Sequence, residues 1–308
     1  MSASSKKVIY AALIGNSLIA ITKFIAAAIT GSSAMVSEGI HSVVDTGNQV
    51  LLLFGMRQAS KPADERFPFG HGKEIYFWSF VVAITIFAVG AGVSLYEGIE
   101  HLRHPAPLEN PLINYIVLGL AMVFEGGAFY FARREFIKAK GKLGYFEAVR
   151  TAKDPTLFVV LFEDSAAMLG LIVAFTGILL GQLTGIPEFD GMASIGIGLI
   201  LAGTAIWLAY ETKGLLIGES ADPRIVQGIR ELARASGDVE HVNEVLTMHV
   251  GPEYILVTLS LDFGDTLPSA DLERAIAELD KRVKQEYPLV KRVFVEAEAR
   301  RGHAVEGA

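Results

Sequence analysis

The chain has 308 residues, 51% of them hydrophobic, a net charge of −7 at pH 7 and no cysteine. The acidic balance argues against nucleic acid as a partner. The missing cysteine excludes disulfides, zinc ribbons and thiolate metal sites, so any metal must be held by His, Asp, Glu, backbone or water.

The apolar residues gather in separate runs of about 20, the length that crosses a hydrocarbon core of roughly 30 Å. In chain order they cover 8–30, 33–56, 75–99, 112–132, 156–183 and 191–211 and predict six transmembrane helices. The short start MSASSKK and the uninterrupted apolar stretch after it predict a retained first span rather than a cleaved signal peptide. Small-residue stretches such as GAGVS and GIGLILAG suit close helix packing.

Basic residues sort the loops into two sides. Lys6 and Lys7 precede span one, and Arg57, Lys61, Arg66 and Lys73 follow span two. Arg133, Arg134, Lys138, Lys140, Lys142, Arg150 and Lys153 follow span four, and Lys213 follows span six. The opposite loops at 31–32 and 184–190 have no Lys or Arg, and 100–111 has only Arg103. This asymmetry predicts that both termini are cytoplasmic. The acidic composition and the lack of a targeting segment point to a bacterial inner (cell) membrane.

After Pro223 the pattern changes. Residues 224–236 read as an amphipathic helix, 241–249 and 254–263 as strands, 269–286 as a helix opened by a Ser cap, and 290–297 as a last strand. The order α-β-β-α-β predicts a small α+β sandwich of the ferredoxin-like kind. The expected organisation is a transmembrane domain over 1–217, a cytoplasmic domain over 218–300 and a disordered tail over 301–308.

Ionisable residues inside spans are the candidates for function, because each costs roughly 2.5–3.5 kcal/mol at a helix centre. In SEGIHSVVDTGNQ, His41 and Asp45 lie one turn apart on one helix face, half of a metal site. Glu38 stands one turn earlier, at the edge of that pair. The alternative is a His–Asp hydrogen bond that ties helices together. In LFEDSAAMLG, Glu163 and Asp164 are adjacent and point about 100° apart, so one can hold a cation while the other caps or pairs. Lys23, Glu125 and Asn16 read as structural, with Lys23 either snorkelling or paired to a carboxylate. His71, in FPFGHGKEIYFW, reads as a solvated loop residue.

Taken in order, the six spans, HxxxD in span two, GHGKE before span three and the terminal α+β domain resemble the cation diffusion facilitator (cation efflux) family, in its zinc transporter 9-like branch. That resemblance implies a tetrahedral mid-membrane site from spans two and five. His41 and Asp45 match the span-two ligands, Glu163 the first span-five ligand, and Ala167 stands at the second. Asp164 is the alternative donor if the register slips by one residue. The resemblance implies a homodimeric antiporter in the lipid bilayer, with a divalent metal and protons as substrates and no prosthetic group. A His–carboxylate set can hold either the ion or protons, which suits exchange. Asp64 and His71 keep half of the family's loop site, and Lys73 matches its interdomain salt bridge, here with Glu219. Asn243, Thr258, Glu296 and Glu298 fall near the family's terminal-domain ligands, where His is usual.

Zinc is the expected cargo. Manganese, iron, cobalt or nickel is the alternative, since one His among carboxylates suits harder ions. A metal-sensing, non-transporting homologue is a further alternative, raised by Ala167. An intramembrane metallohydrolase is disfavoured because no HExxH motif is present.

Overall fold

The computed structural model describes residues 3–105, 110–140, 144, 148 and 153–300. The chain divides into two compact units, one of Met1–Gln58 with Glu74–Lys213, the other of Ala59–Lys73 with Gly214–Ala308.

The first unit is helical. Its elements are α1 (Ala3–Thr30), α2 (Ser33–Ala59), and a continuous rod of α3 (Glu74–Thr85), a π-helical stretch (Ile86–Ala91) and α4 (Gly92–Arg103). The long helices α5 (Pro111–Lys140), α6 (Pro155–Thr184) and α7 (Glu188–Ile217) follow; α7 ends in the second unit. Glu74–Arg103, Pro111–Arg134, Phe158–Thr184 and Glu188–Ile217 are each long and apolar enough to cross a membrane. Among the described residues, α1 contributes the shorter apolar stretch Asn16–Thr30. A helical membrane-spanning region is therefore established, with four spans that meet length and apolarity alone. Polar residues interrupt α2: Glu38, Asp45 and Asn48 are all buried in it.

Local chemistry explains where the helices stop. Gly31 has φ 70° and closes α1 with its N–H on Ala27 O at 2.9 Å, a left-handed turn that glycine adopts without strain. Asp154 caps α6, accepting from Thr156 N at 3.0 Å, and Pro155 follows at the first helical position, where its missing N–H costs nothing. Helix α5 packs along α1 and α6. The predicted small-residue packing occurs between α4 and α7: a Cβ on Gly198 would stand 2.8 Å from Leu95 Cγ, and one on Gly98 the same distance from Gly191 O.

In the second unit, α8 (Pro223–Arg234), β1 (Val239–Gly251), β2 (Tyr254–Phe263), α9 (Ser269–Glu286) and β3 (Val290–Ala297) follow in turn. The sheet order is β1-β2-β3, antiparallel between β1 and β2 and parallel between β2 and β3. The alternation read in 254–263 places Ile255, Val257, Leu259 and Leu261 on one face, where all are fully buried against Ile229, Leu279 and Val283 of the two helices. The parallel pairing needs a crossover, and α9 provides it. Ser269 is not the cap of α9: Pro268 holds that position, and no side chain caps the helix. Proline's fixed φ suits this entry, so the chain enters the helix without a hydroxyl acceptor.

One segment of this unit comes from far upstream. Residues Ala59–Lys73, between α2 and α3, belong to it rather than to the helical unit. Gly72 lies so close to β1 that a Cβ there would come within 2.6 Å of Val250 O. Phe69 meets Phe294 of β3 edge to face, with centroids 6.5 Å apart. The expected boundary at 217–218 did not anticipate this inserted segment. The expected tail at 301–308 lies outside the described residues.

Candidate metal site in the helical unit

Helix α2 places His41, Asp45 and Asn48 on one stripe, at i, i+4 and i+7. All three are buried, Asn48 completely. His41 Nε2 lies 3.1 Å from Asp45 Oδ2. That approach is not aligned as a hydrogen bond, and His41 Nε2, Asp45 Oδ1 and Asn48 Oδ1 have no partner. Each unmatched buried polar atom costs roughly 1–3 kcal/mol. A fold keeps such a set when something else uses those atoms, and a cation that accepts N and O donors is the simplest candidate.

From α6, Glu163 reaches this stripe. Its Oε1 accepts from Asn48 Nδ2 at 2.6 Å, and its carboxyl comes within hydrogen-bonding reach of Asp45. Glu163 is buried, whereas its neighbour Asp164 is half-buried on a different side of the helix. Ala167, one turn on, is buried and offers no donor. Of the four candidate ligands, His41 lies beside Asp45 and Glu163 lies beside Asp45 and Asn48, while Asp164 is half-buried on another side of α6. Among the described residues no three His, Asp or Glu side chains close to the spacing of a metal site. The residue that joins the two helices is Asn48, which sequence reasoning did not single out. The available signal was its position, seven residues after His41 within the same polar run.

Glu38, one turn before His41, has a partner of its own. Lys23 of α1 takes it in an ion pair at 3.0 Å and also donates to Ser42 Oγ at 2.8 Å, with both charged side chains fully buried. Lys23 therefore pairs rather than snorkels. Glu38 Oε1 has no partner and points at Gly170 of α6, where any Cβ would collide with it. Glu125 of α5 is buried within electrostatic range of Lys23 and Glu38.

A second buried acid was missed altogether. Asp190 of α7, read as part of a loop, is fully buried beneath the start of α2. Its Oδ2 accepts from Ser33 N at 2.6 Å, Ser33 Oγ at 2.9 Å and Ala34 N at 3.3 Å, and its Oδ1 from Ser32 Oγ at 2.6 Å. Ser32 Oγ accepts in turn from Met35 N at 3.2 Å, so the first three N–H groups of α2 are satisfied.

In the second unit, His71 Nε2 and Asp64 Oδ2 are 2.9 Å apart. Asp64 Oδ1 accepts from Arg66 N at 2.9 Å and Phe67 N at 2.7 Å. The His71 hydrogen bond, followed by that of the Phe67 N–H, holds the Asp64 carboxyl below the usual range. His71 is therefore a partnered residue and not merely solvated. Lys73 Nζ lies 3.5 Å from Leu216 O and from Ile217 O, at the carboxyl end of α7. Lys73 and Glu219 belong to the same unit. Asn243 Nδ2 donates to Glu298 O at 3.0 Å and to Ser260 Oγ at 3.2 Å, and Ser260 Oγ donates to Glu298 Oε2 at 3.0 Å. Two of the four terminal-domain positions are thereby tied into a hydrogen-bond network.

Comparison with known proteins decides the family. Residues 9–217 match the model of the cation efflux transmembrane domain. The chain belongs to the cation efflux family. It is similar to the proton-coupled zinc antiporter SLC30A9, mitochondrial, of Xenopus laevis, 36% identical over 277 residues that cover 89% of this chain and 49% of that protein. The protein of the same name from Homo sapiens is 35% identical over 272 residues, covering 87% and 48%. The cation-efflux pump FieF of Cronobacter sakazakii is 25% identical over 279 residues, covering 90% and 87%. The chain spans about half the length of the SLC30A9 relatives it matches. These matches bear out the zinc transporter 9-like branch of the cation efflux family.

They also correct the location. A bacterial inner membrane was expected, but the relatives at 35–36% identity are mitochondrial by name. The physical reason is that an acidic composition does not identify a bilayer, and loop charge asymmetry sorts only its two sides.

Proposed function

We propose that the chain is a secondary active transporter, not an enzyme: a proton-coupled antiporter that moves divalent metal, zinc foremost, across a membrane by alternating access. The observation that carries this reading is the meeting of His41 and Asp45 of α2 with Glu163 of α6, with donor atoms left unmatched in a membrane-spanning unit. Such a set holds either an ion or protons, and each must displace the other. The names of the SLC30A9 relatives, proton-coupled zinc antiporters, support the same exchange.

In this reading six helices span the bilayer, with α1 and α2 completing the four apolar ones. The transport domain lies within 1–217, and 218–300 form a ferredoxin-like domain through which two copies dimerise. His41, Asp45 and Glu163 are the principal ligands, and Asp164 is an auxiliary carboxylate. Asp64 and His71 offer a secondary metal site in the loop, and Lys73 forms a salt bridge with Glu219.

The test is zinc flux into proteoliposomes under an imposed proton gradient. His41→Ala and Asp45→Ala are expected to reduce flux to background, and wild-type rates in either would overturn the site. Glu163→Ala should do the same, while Asp164→Ala should keep at least a third of the rate. Equal loss in both would move the α6 ligand. One observation favours a second cargo: a single imidazole among oxygen donors suits manganese, iron, cobalt or nickel as well. The same assay with those ions decides between them. A wild-type chain that binds metal without flux would instead be a sensor.

A further inference from the structure

Asn48 is completely buried on α2, on the stripe it shares with His41 and Asp45. Its Nδ2 donates to Glu163 Oε1 at 2.6 Å, so the carboxamide is held across the α2–α6 interface. In this contact the N–H end of the amide faces Glu163. The Oδ1 at the other end then faces away from Glu163 and has no partner, as do His41 Nε2 and Asp45 Oδ1 on the same stripe. On α6 the residue one turn beyond Glu163 is Ala167, which has no donor atom.

Building on the transport reading above, we propose that Asn48 is a member of the metal site: Nδ2 positions Glu163, and Oδ1 gives the ion a neutral oxygen ligand. The set becomes one imidazole nitrogen, two carboxylates and one amide oxygen. Two carboxylates balance a divalent charge, and a neutral fourth ligand fills the coordination shell without adding a third negative charge to a buried site. An amide oxygen is a hard donor. Its loss weakens binding of manganese, which favours oxygen, more than binding of zinc, which is content with three protein ligands and a water.

The experiment compares wild type, Asn48→Ala and Asn48→His in the full chain. Calorimetry in detergent gives Kd for Zn2+ and for Mn2+, and proteoliposomes give flux for both ions. Asn48→Ala is expected to raise Kd at least tenfold for Mn2+ and about threefold for Zn2+. Asn48→His keeps one N–H for Glu163 and offers the ion nitrogen in place of oxygen, so it should restore the Zn2+ value but not the Mn2+ value. A uniform change for both ions in both variants, or none, overturns the proposal and leaves the transport reading standing. The ion-specific shift in Kd without any wild-type flux supports the ligand role of Asn48 and overturns transport. If Asn48→Ala does not fold, the Zn2+-to-Mn2+ preference of Asn48→His decides alone.

Discussion

The amino end of α2 and its middle both carry buried carboxylates, yet the two are finished differently. At the amino end, Asp190 receives four donors within 3.3 Å and sits against the positive end of the helix. In the middle, Asp45 and Glu163 approach each other, and His41, Asp45 and Asn48 each keep an unmatched polar atom. A carboxylate whose donors are all present is part of the scaffold. A carboxylate that faces another acid beside unmatched polar atoms is where, in the reading proposed above, a ligand would sit. The Lys23–Glu38 pair lies between these cases, since its charges are matched but Glu38 Oε1 is not.

Substitutions at the buried groups and at Asp64 break or sharpen that contrast. The largest effect on stability is expected from Lys23→Met, which leaves Glu38 as an uncompensated buried charge and costs about 3–5 kcal/mol. The double change with Glu38→Leu should recover most of it, and unfolding in detergent checks both. If the double variant is no more stable than the single one, the ion pair is not the source. Next comes Asp190→Ala, expected to cost about 3 kcal/mol because the cap of α2 is lost and its N–H groups are left bare. His41→Ala, by contrast, should change stability by less than about 1 kcal/mol or raise it, since it removes an orphaned atom. Equal losses from the two would erase the distinction between scaffold and site. The smallest effect concerns Asp64. Its folded-state pKa is lowered by His71, so its contribution is present above the ordinary carboxylate range of about pH 4 and disappears as pH falls through the lowered value. Thermal melts of the wild type and Asp64→Asn should therefore differ at pH 6 and coincide in strong acid. A difference that persists unchanged in acid would detach it from this ionisation.

Much of the candidate site was legible in the sequence because membrane helices make polarity conspicuous. His41, Asp45, Glu163 and Lys23 stand out against apolar neighbours whatever the packing, and the one-turn spacing of His41 and Asp45 fixes a shared face. Asn48 was less visible because a neutral amide is a weak anomaly beside charged residues. Asp190 was hidden for a different reason: near a helix start a carboxylate is ordinary, and only the fold shows that it is buried beneath another helix.

The sequence by itself determined the family, four of the six expected spans, the α-β-β-α-β order and the stripe on α2, because each rests on motif, periodicity or local chemistry. Tertiary structure alone decided three things. It set Glu163 against Asn48 and left Asp164 half-buried on another side of α6, since adjacent residues on a helix diverge by about 100° and only packing says which one faces α2. It gave Lys23 to Glu38, a partner 15 residues away and on another helix. And it placed Ala59–Lys73 with the terminal unit, because which surface a polar loop rests on depends on shape and contact rather than on composition.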